Sequence, residues 1–198
     1  MRVYKNPHFI MLLEAKKISK KFPGVQALSN VDFDLKPGEV HAIIGENGAG
    51  KSTLMHILAG IYKHDHGKFL INGKEVILNS FEKAKKHGIS IVFQERSLFP
   101  NLSIAENIFG SNPPKNKNIF FQIDWNKLST LAQTYLNKLN IKLNQKDLVS
   151  ELSVARQQMI EITKAISNDF KILILDEPTS SITLQETKIL FELIKHFK

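Results

Sequence analysis

Residues 45–53 read GENGAGKST and fit G-x-x-x-x-G-K-[ST], with Gly45, Gly50, Lys51 and Ser52 at the fixed positions. This run restricts the fold more than any other, because its chemistry works only between a strand and a helix. Both flanks meet that demand. The apolar run Val40-His41-Ala42-Ile43-Ile44 predicts a buried strand entering the loop, and residues 52–59 predict a helix leaving it. Gly45 and Gly50 lack a Cβ, so the backbone there can take conformations closed to other residues, turning successive N–H groups onto a polyphosphate. The helix start adds unpaired amides and the positive end of a dipole. Lys51 brings a compact positive charge for β- and γ-phosphates. Ser52 brings a hydroxyl for Mg²⁺, an ion that favours oxygen ligands and bridges protein to phosphate. A Gly-rich turn with no ligand is the plainer alternative.

A chain of 198 residues suits one domain, or one domain with an inserted subdomain. Its 42% apolar and 23% charged residues are ordinary for a globular protein. The absence of cysteine excludes disulfides, thiol nucleophiles and cysteine zinc sites. No apolar run approaches the roughly 20 residues that span a bilayer. The net charge of +8 comes largely from scattered pairs such as Lys16-Lys17, Lys20-Lys21 and Lys85-Lys86, the pattern of a solvated surface.

Residues 12–76 are patterned mainly as strand. Val31, Phe33 and Leu35 alternate with Asp32 and Asp34, Lys36-Pro37-Gly38 is a turn, and Asn72-Gly73 predicts a hairpin within residues 67–78. A short helix over 80–87 and a buried strand over 89–93 follow. Ser103-Ile104-Ala105-Glu106 matches a capping box that starts a helix. Residues 112–118 form a loop, and 125–139 space Leu128, Leu131, Ala132, Tyr135, Leu136 and Leu139 onto one helical face. Residues 155–167 and 183–198 have helical spacing. Residues 171–175 are a continuous apolar strand of the parallel-sheet type.

That strand ends in Asp176-Glu177. A carboxylate at the end of a buried strand in a phosphate-loop protein is the expected holder of Mg²⁺ through water, and Glu177 is placed to orient or deprotonate an attacking water. Read alone, the segment is equally a strand running into a turn.

With these residues in order, the chain resembles the ATP-binding-cassette (ABC) ATPases. Residues 152–158, Leu-Ser-Val-Ala-Arg-Gln-Gln, resemble that family's signature segment, with Val154 and Ala155 where Gly-Gly is usual. The resemblance implies that Ser153 contacts the γ-phosphate held by an opposing nucleotide domain; on local pattern Ser153 is equally a simple N-cap. It also implies that Gln94 couples Mg²⁺ and water to movement of the helical insertion, and that Phe22 stacks on adenine. A core role for Phe22 stays open. Residues 180–183 take the D-loop position. Nucleotide contacts are implied for Phe22, Gly45, Asn47, Gly48, Gly50, Lys51, Ser52, Thr53 and Ser153, magnesium contacts for Ser52, Gln94 and Asp176, and catalytic roles for Glu177 and Gln94.

The expected fold is therefore α/β, a P-loop NTPase core of ABC type with an N-terminal antiparallel β subdomain and a helical insertion. Residues 1–198 are expected to be a single nucleotide-binding domain, incomplete at its C-terminus, with residues 95–157 as the helical subdomain. The segments GENGAGKSTLMHILAGIY, NLSIAENIF, LSVARQQMIEI and LILDEPTSSIT are similar to the first nucleotide-binding domain of tandem bacterial sugar importers. That similarity implies ATP and Mg²⁺ as cofactors, and a second nucleotide-binding domain and membrane permease subunits as partners. It implies an indirect link to a sugar-binding protein, no nucleic-acid partner, and a peripheral place on the cytoplasmic side of the membrane. The family's switch histidine follows a strand beyond residue 198, and His196 is not assigned that role. The rival readings are a soluble ABC ATPase acting on ribosomes or nucleic acid, and a nucleotide-binding fragment without turnover.

Overall fold

The structure, a computed structural model, describes residues 11–93, 97–116, 122–167, 170–178 and 184–197. The chain divides into two compact units, residues 1–89 (with 197–198) and residues 90–196.

The first unit is built on an antiparallel sheet of β1 (Leu13–Phe22), β2 (Val25–Leu35), β3 (His66–Ile71) and β4 (Lys74–Val76), in the order β2-β1-β3-β4. Register follows the apolar pattern. Leu13 pairs with Ile71 and Ala15 with Phe69, and all four are buried. A one-residue slip would turn that set to solvent, so the pairing is strongly specified. Along β2 the expected alternation holds, with Val31, Phe33 and Leu35 half-buried between exposed Asp32 and Asp34. The β3–β4 hairpin turns at Asn72 and Gly73, both left-handed at φ 50° and 75°, as the dipeptide predicts for a type I′ turn. Helices α1 (Lys51–Leu58) and α2 (Phe81–Lys86) complete the unit. Ser80 caps α2, its hydroxyl accepting from the Lys83 N–H at 3.3 Å.

The strand expected over residues 40–44 does not form. Nothing in the described first unit lies between β2 and α1 but irregular chain, with Val40 56% and Ile44 93% exposed. An apolar run becomes a buried strand only where neighbouring strands pair with it and other elements cover its faces. The four strands of this unit already pair with one another, and residues 40–44 join none of them. His41 finds partners, its ring 4.9 Å from that of Phe33 and its Nδ1 3.2 Å from Glu39.

The second unit contains the hydrogen-bonded strands β5 (Ile89–Val92, all but its first residue) and β6 (Ile172–Leu175), and the helices α3 (Ile104–Phe109), α4 (Trp125–Lys138), α5 (Val154–Ile166) and α6 (Leu184–Phe197, all but its last residue). The capping box at Ser103 is present in full. The Ser103 hydroxyl accepts from the Glu106 N–H at 3.3 Å, and the Glu106 carboxylate accepts from the Ser103 N–H at 2.8 Å. The Ser103 hydroxyl, donating to that carboxylate, and then its backbone N–H hold the Glu106 carboxyl below the usual range. On α4, Leu128, Ala132, Leu136 and Leu139 are buried and Leu131 and Tyr135 half-buried, which is the face that the spacing predicts.

Helix α5 is central to this unit because two apolar clusters meet on it. Ile160 belongs to one with Ile104, Ile108, Leu128, Leu136 and Leu152. Met159, Ile162 and Ile166 belong to another with Val92, Leu139 and Leu190. Each fully buried Ile or Leu contributes about 1.5–3 kcal/mol relative to exposure. A helix gripped on two faces in this way holds its own N-terminus firmly, and that end carries Ser153.

Candidate functional site

The loop before α1 has the backbone of an anion cradle. Gly48 and Gly50 take φ of 84° and 89°, the left-handed region that glycine occupies without penalty. Gly50 is the N-cap of α1, and no side chain caps the helix there. Lys51 folds back over the loop, its ammonium donating to the carbonyls of Gly45 and Glu46 at 2.9 and 3.0 Å. Those bonds hold a positive charge above the loop carbonyls at the start of a helix dipole, the arrangement that attracts phosphate. Ser52 and Thr53 sit half-buried in the first turn, while Gly45, Asn47 and Gly48 are exposed.

Gly45 differs from the expectation. Its φ lies outside the left-handed region, and an added Cβ would meet Ala49 Cβ at 3.4 Å, an ordinary contact. Its backbone freedom is unused, whereas Gly50 is required twice over. A Cβ on Gly50 would sit 2.5 Å from the carbonyl oxygen of Ala27 and 2.9 Å from Leu28 Cδ2 on β2. Gly50→Ala is therefore expected to destabilise the chain by about 2–3 kcal/mol. Gly48→Ala has open space around the new Cβ and is expected to cost only the backbone term, about 1 kcal/mol. Chemical denaturation of the two variants side by side measures the difference, and equal losses would refute the close approach to β2.

Phe22 ends β1 half-buried, its ring edge-on to Tyr62 at 5.5 Å, with the Lys20 ammonium 5.4 Å from its centroid. Tyr62 in turn meets His56 of α1 at 5.3 Å. The sequence reading missed Tyr62 and His56. A histidine within a phosphate-loop helix and an aromatic just past it carry no motif, and only the folded hairpin brings Phe22 to them.

In the second unit, Asp176 follows β6, is buried, and donates its N–H to the Val92 carbonyl at 3.1 Å, extending the β5–β6 pairing by one residue. Glu177 is exposed and left-handed at φ 48°. A non-glycine residue there costs about 1–2 kcal/mol, and such strain gathers at functional positions. Ser153 is the N-cap of α5, φ −61° and ψ 155°, with its hydroxyl accepting from the Arg156 N–H at 3.4 Å. It is exposed at a helix start, which satisfies the simple capping role and the proposed anion contact alike. Gln94 and residues 179–183 lie outside the described residues.

Among the described residues no group of three or more His, Cys, Asp or Glu side chains could hold a metal ion by itself. Mg²⁺ needs no such group when phosphate oxygens and water complete its shell, and the hydroxyl of Ser52 and the carboxylate of Asp176 are oxygen donors of the kind it takes. No described helix is long and apolar enough to cross a membrane.

Comparison with known proteins extends this picture. A family model described as ABC transporter matches residues 28–180. A protein of Agrobacterium fabrum (strain C58), provisionally named ribose/galactose/methyl galactoside import ATP-binding protein 1, is 50% identical over 188 residues, covering 95% of this chain and 37% of that one. The ribose import ATP-binding protein RbsA of Caldanaerobacter subterraneus subsp. tengcongensis is 46% identical over 187 residues, covering 94% of this chain and 37% of that protein. The chain thus spans little more than a third of the length of these curated relatives. Among solved structures, the ADP conformation of MJ1267, an ATP-binding cassette of an ABC transporter, superposes with a TM-score of 0.79 at 24% identity, over 94% of this chain and 76% of that one. A nucleotide-free ATP-binding cassette from an ABC transporter gives 0.79 at 25% identity over the same shares.

Proposed function

The chain belongs to the ABC transporter family, and from that premise we propose that it binds and hydrolyses ATP with Mg²⁺ to energise import of a simple sugar. The observation that carries this reading is the loop before α1, where an ammonium is held over carbonyls beside an uncapped helix start. In the proposed cycle Lys51 leaves the carbonyls of Gly45 and Glu46 for the β- and γ-phosphates. The amides around Gly48 and Gly50 cradle the phosphates, and Phe22 stacks on the base. Ser52, Asp176 and Gln94 would hold Mg²⁺, which supplies charge neutralisation at the phosphates when bound. Glu177 orients and deprotonates the attacking water, so the catalysis is positioning and charge stabilisation without a covalent intermediate.

The partners in this reading are a second nucleotide-binding domain, whose signature segment closes on the loop as Ser153 closes on its counterpart, and membrane permease subunits that meet the helical subdomain, residues 95–157. A sugar-binding protein is linked through the permease, and the place of work is the cytoplasmic face of the membrane. Support for a sugar as cargo comes from the names of the relatives, which specify ribose or galactose import. Since the signature that completes the site is given by another domain, the chain by itself holds ATP without sustained turnover.

Uptake of labelled ribose and galactose tests the proposal in cells with the gene deleted and restored. Uptake of one or both is expected to fall on deletion and return on restoration. Unchanged uptake, together with salt-sensitive binding of the purified chain to RNA or DNA, would replace this reading with a nucleic-acid or ribosome role.

A further inference from the structure

Glu161 and Lys164 lie one turn apart on α5 and close on the same residue of a distant loop. Glu161 is 6% exposed, and a carboxylate so far out of water needs its hydrogen bonds made. It accepts the Ser97 backbone N–H on Oε1, and the Ser97 hydroxyl on Oε2 at 3.2 Å. The Lys164 ammonium donates to the Ser97 carbonyl at 3.3 Å and to its hydroxyl oxygen at 3.2 Å. Every polar group of Ser97 is thus held by α5, with its hydroxyl both donating and accepting.

Two residues on, α3 makes a second grip. The Asn107 side chain is buried, accepts the Phe99 N–H at 2.7 Å, and donates to the carbonyls of Phe99 and Ser103 at 3.0 Å and of Leu102 at 3.3 Å. The loop over residues 97–103 is thereby fastened to α5 at one end and to α3 at the other. It still presents Phe99 and Leu102 to solvent, at 63% and 38% exposure. A leucine at position 161 would fill similar space without the cost of burying charge. It would also leave Ser97 unheld.

We infer that Glu161, with Lys164, is a positioning residue that makes the 97–103 loop and α5 move as one body, so that displacement of the Ser153 end of α5 reaches Phe99 and Leu102. The inference rests on the proposed function, which gives Ser153 a nucleotide to meet. Charge-assisted hydrogen bonds are the stronger kind, and four of them on one residue outlast the fluctuations that would let a loop slip.

The test uses the complete protein carrying both nucleotide-binding domains. Glu161→Ala is expected to speed amide exchange over residues 97–103 at least about tenfold, since both hydrogen bonds from Ser97 to the carboxylate are lost, and to lower kcat for ATP about tenfold with KM within about twofold. Glu161→Gln keeps an acceptor for the Ser97 N–H and is expected to recover most of both. Ser97→Ala, at an exposed position, leaves the backbone bond and gives the same split at smaller size, even where Glu161→Ala fails to fold. A rise in KM at constant kcat, or exchange over 97–103 unchanged in both Glu161→Ala and Ser97→Ala, would overturn the inference. A wild-type protein that binds no ATP would instead overturn the proposed function, and the exchange comparison would still judge the clasp.

Discussion

Replacing Lys51 by alanine is expected to weaken Mg·ATP binding about a hundredfold, equal to about 2.7 kcal/mol, which titration calorimetry reads directly. The ammonium already sits over the loop, bonded to the carbonyls of Gly45 and Glu46. Exchanging those neutral acceptors for anionic phosphate oxygens adds charge–charge attraction to bonds that only the donor's charge assists now, and alanine forfeits the gain. Lys51→Arg is expected to recover only part of it, because a planar fork cannot stand in for a compact charge in a loop this tight. Thermal unfolding of the alanine variant is expected to stay near that of the wild type, since Lys51 is half-buried and its bonds are to loop backbone. Wild-type affinity in Lys51→Ala would remove the loop from nucleotide binding.

Glu177→Gln, in the complete protein, is expected to keep ATP affinity within a few-fold and to lower kcat by about 10²–10⁴, the range for losing a general base. Glutamine matches the shape and can still orient a water, but it cannot take the proton. The left-handed backbone at φ 48° gives a second readout. Glu177→Gly is expected to relieve about 1 kcal/mol of backbone strain, because glycine carries no penalty there, while turnover falls as in the glutamine variant. Wild-type hydrolysis in Glu177→Gln would take the base role from this residue. Lower stability in Glu177→Gly would mean that the carboxylate is structural.

Elements whose residues answer to their neighbours in sequence were legible. The Asn72-Gly73 turn, the Ser103–Glu106 box and the apolar face of α4 each follow from spacing and local chemistry. Likewise, the helix leaving the glycine-rich loop was readable, since residues 52–59 have helical spacing and α1 runs from Lys51 to Leu58. The contacts that the pattern hid all span long stretches of chain. Nothing near Glu161 in sequence announces that it will hold Ser97, 64 residues away, and nothing near Gly50 announces the Ala27 carbonyl. Gly45 failed in the opposite sense, since a motif position suggested a backbone demand that its φ does not make. Ser153 shows why local geometry leaves a role open. The same exposed hydroxyl and helix start serve a cap and an anion, and only a bound nucleotide distinguishes them.

The irregular stretch over residues 40–44 bears on how this chain behaves in solution. Val40, His41, Ala42 and Ile44 are exposed and Ile43 half-buried, an uncharged run in which three of the five residues are β-branched, with Val40 56% and Ile44 93% exposed. Segments of this composition pair edge to edge with their own copies unless charge keeps the copies apart. The net charge of +8 supplies that repulsion at low ionic strength. At about 1 M salt the screening length falls to roughly 3 Å, and self-association is expected to set in. Light scattering across a salt series follows it, and Ile44→Lys is expected to suppress it.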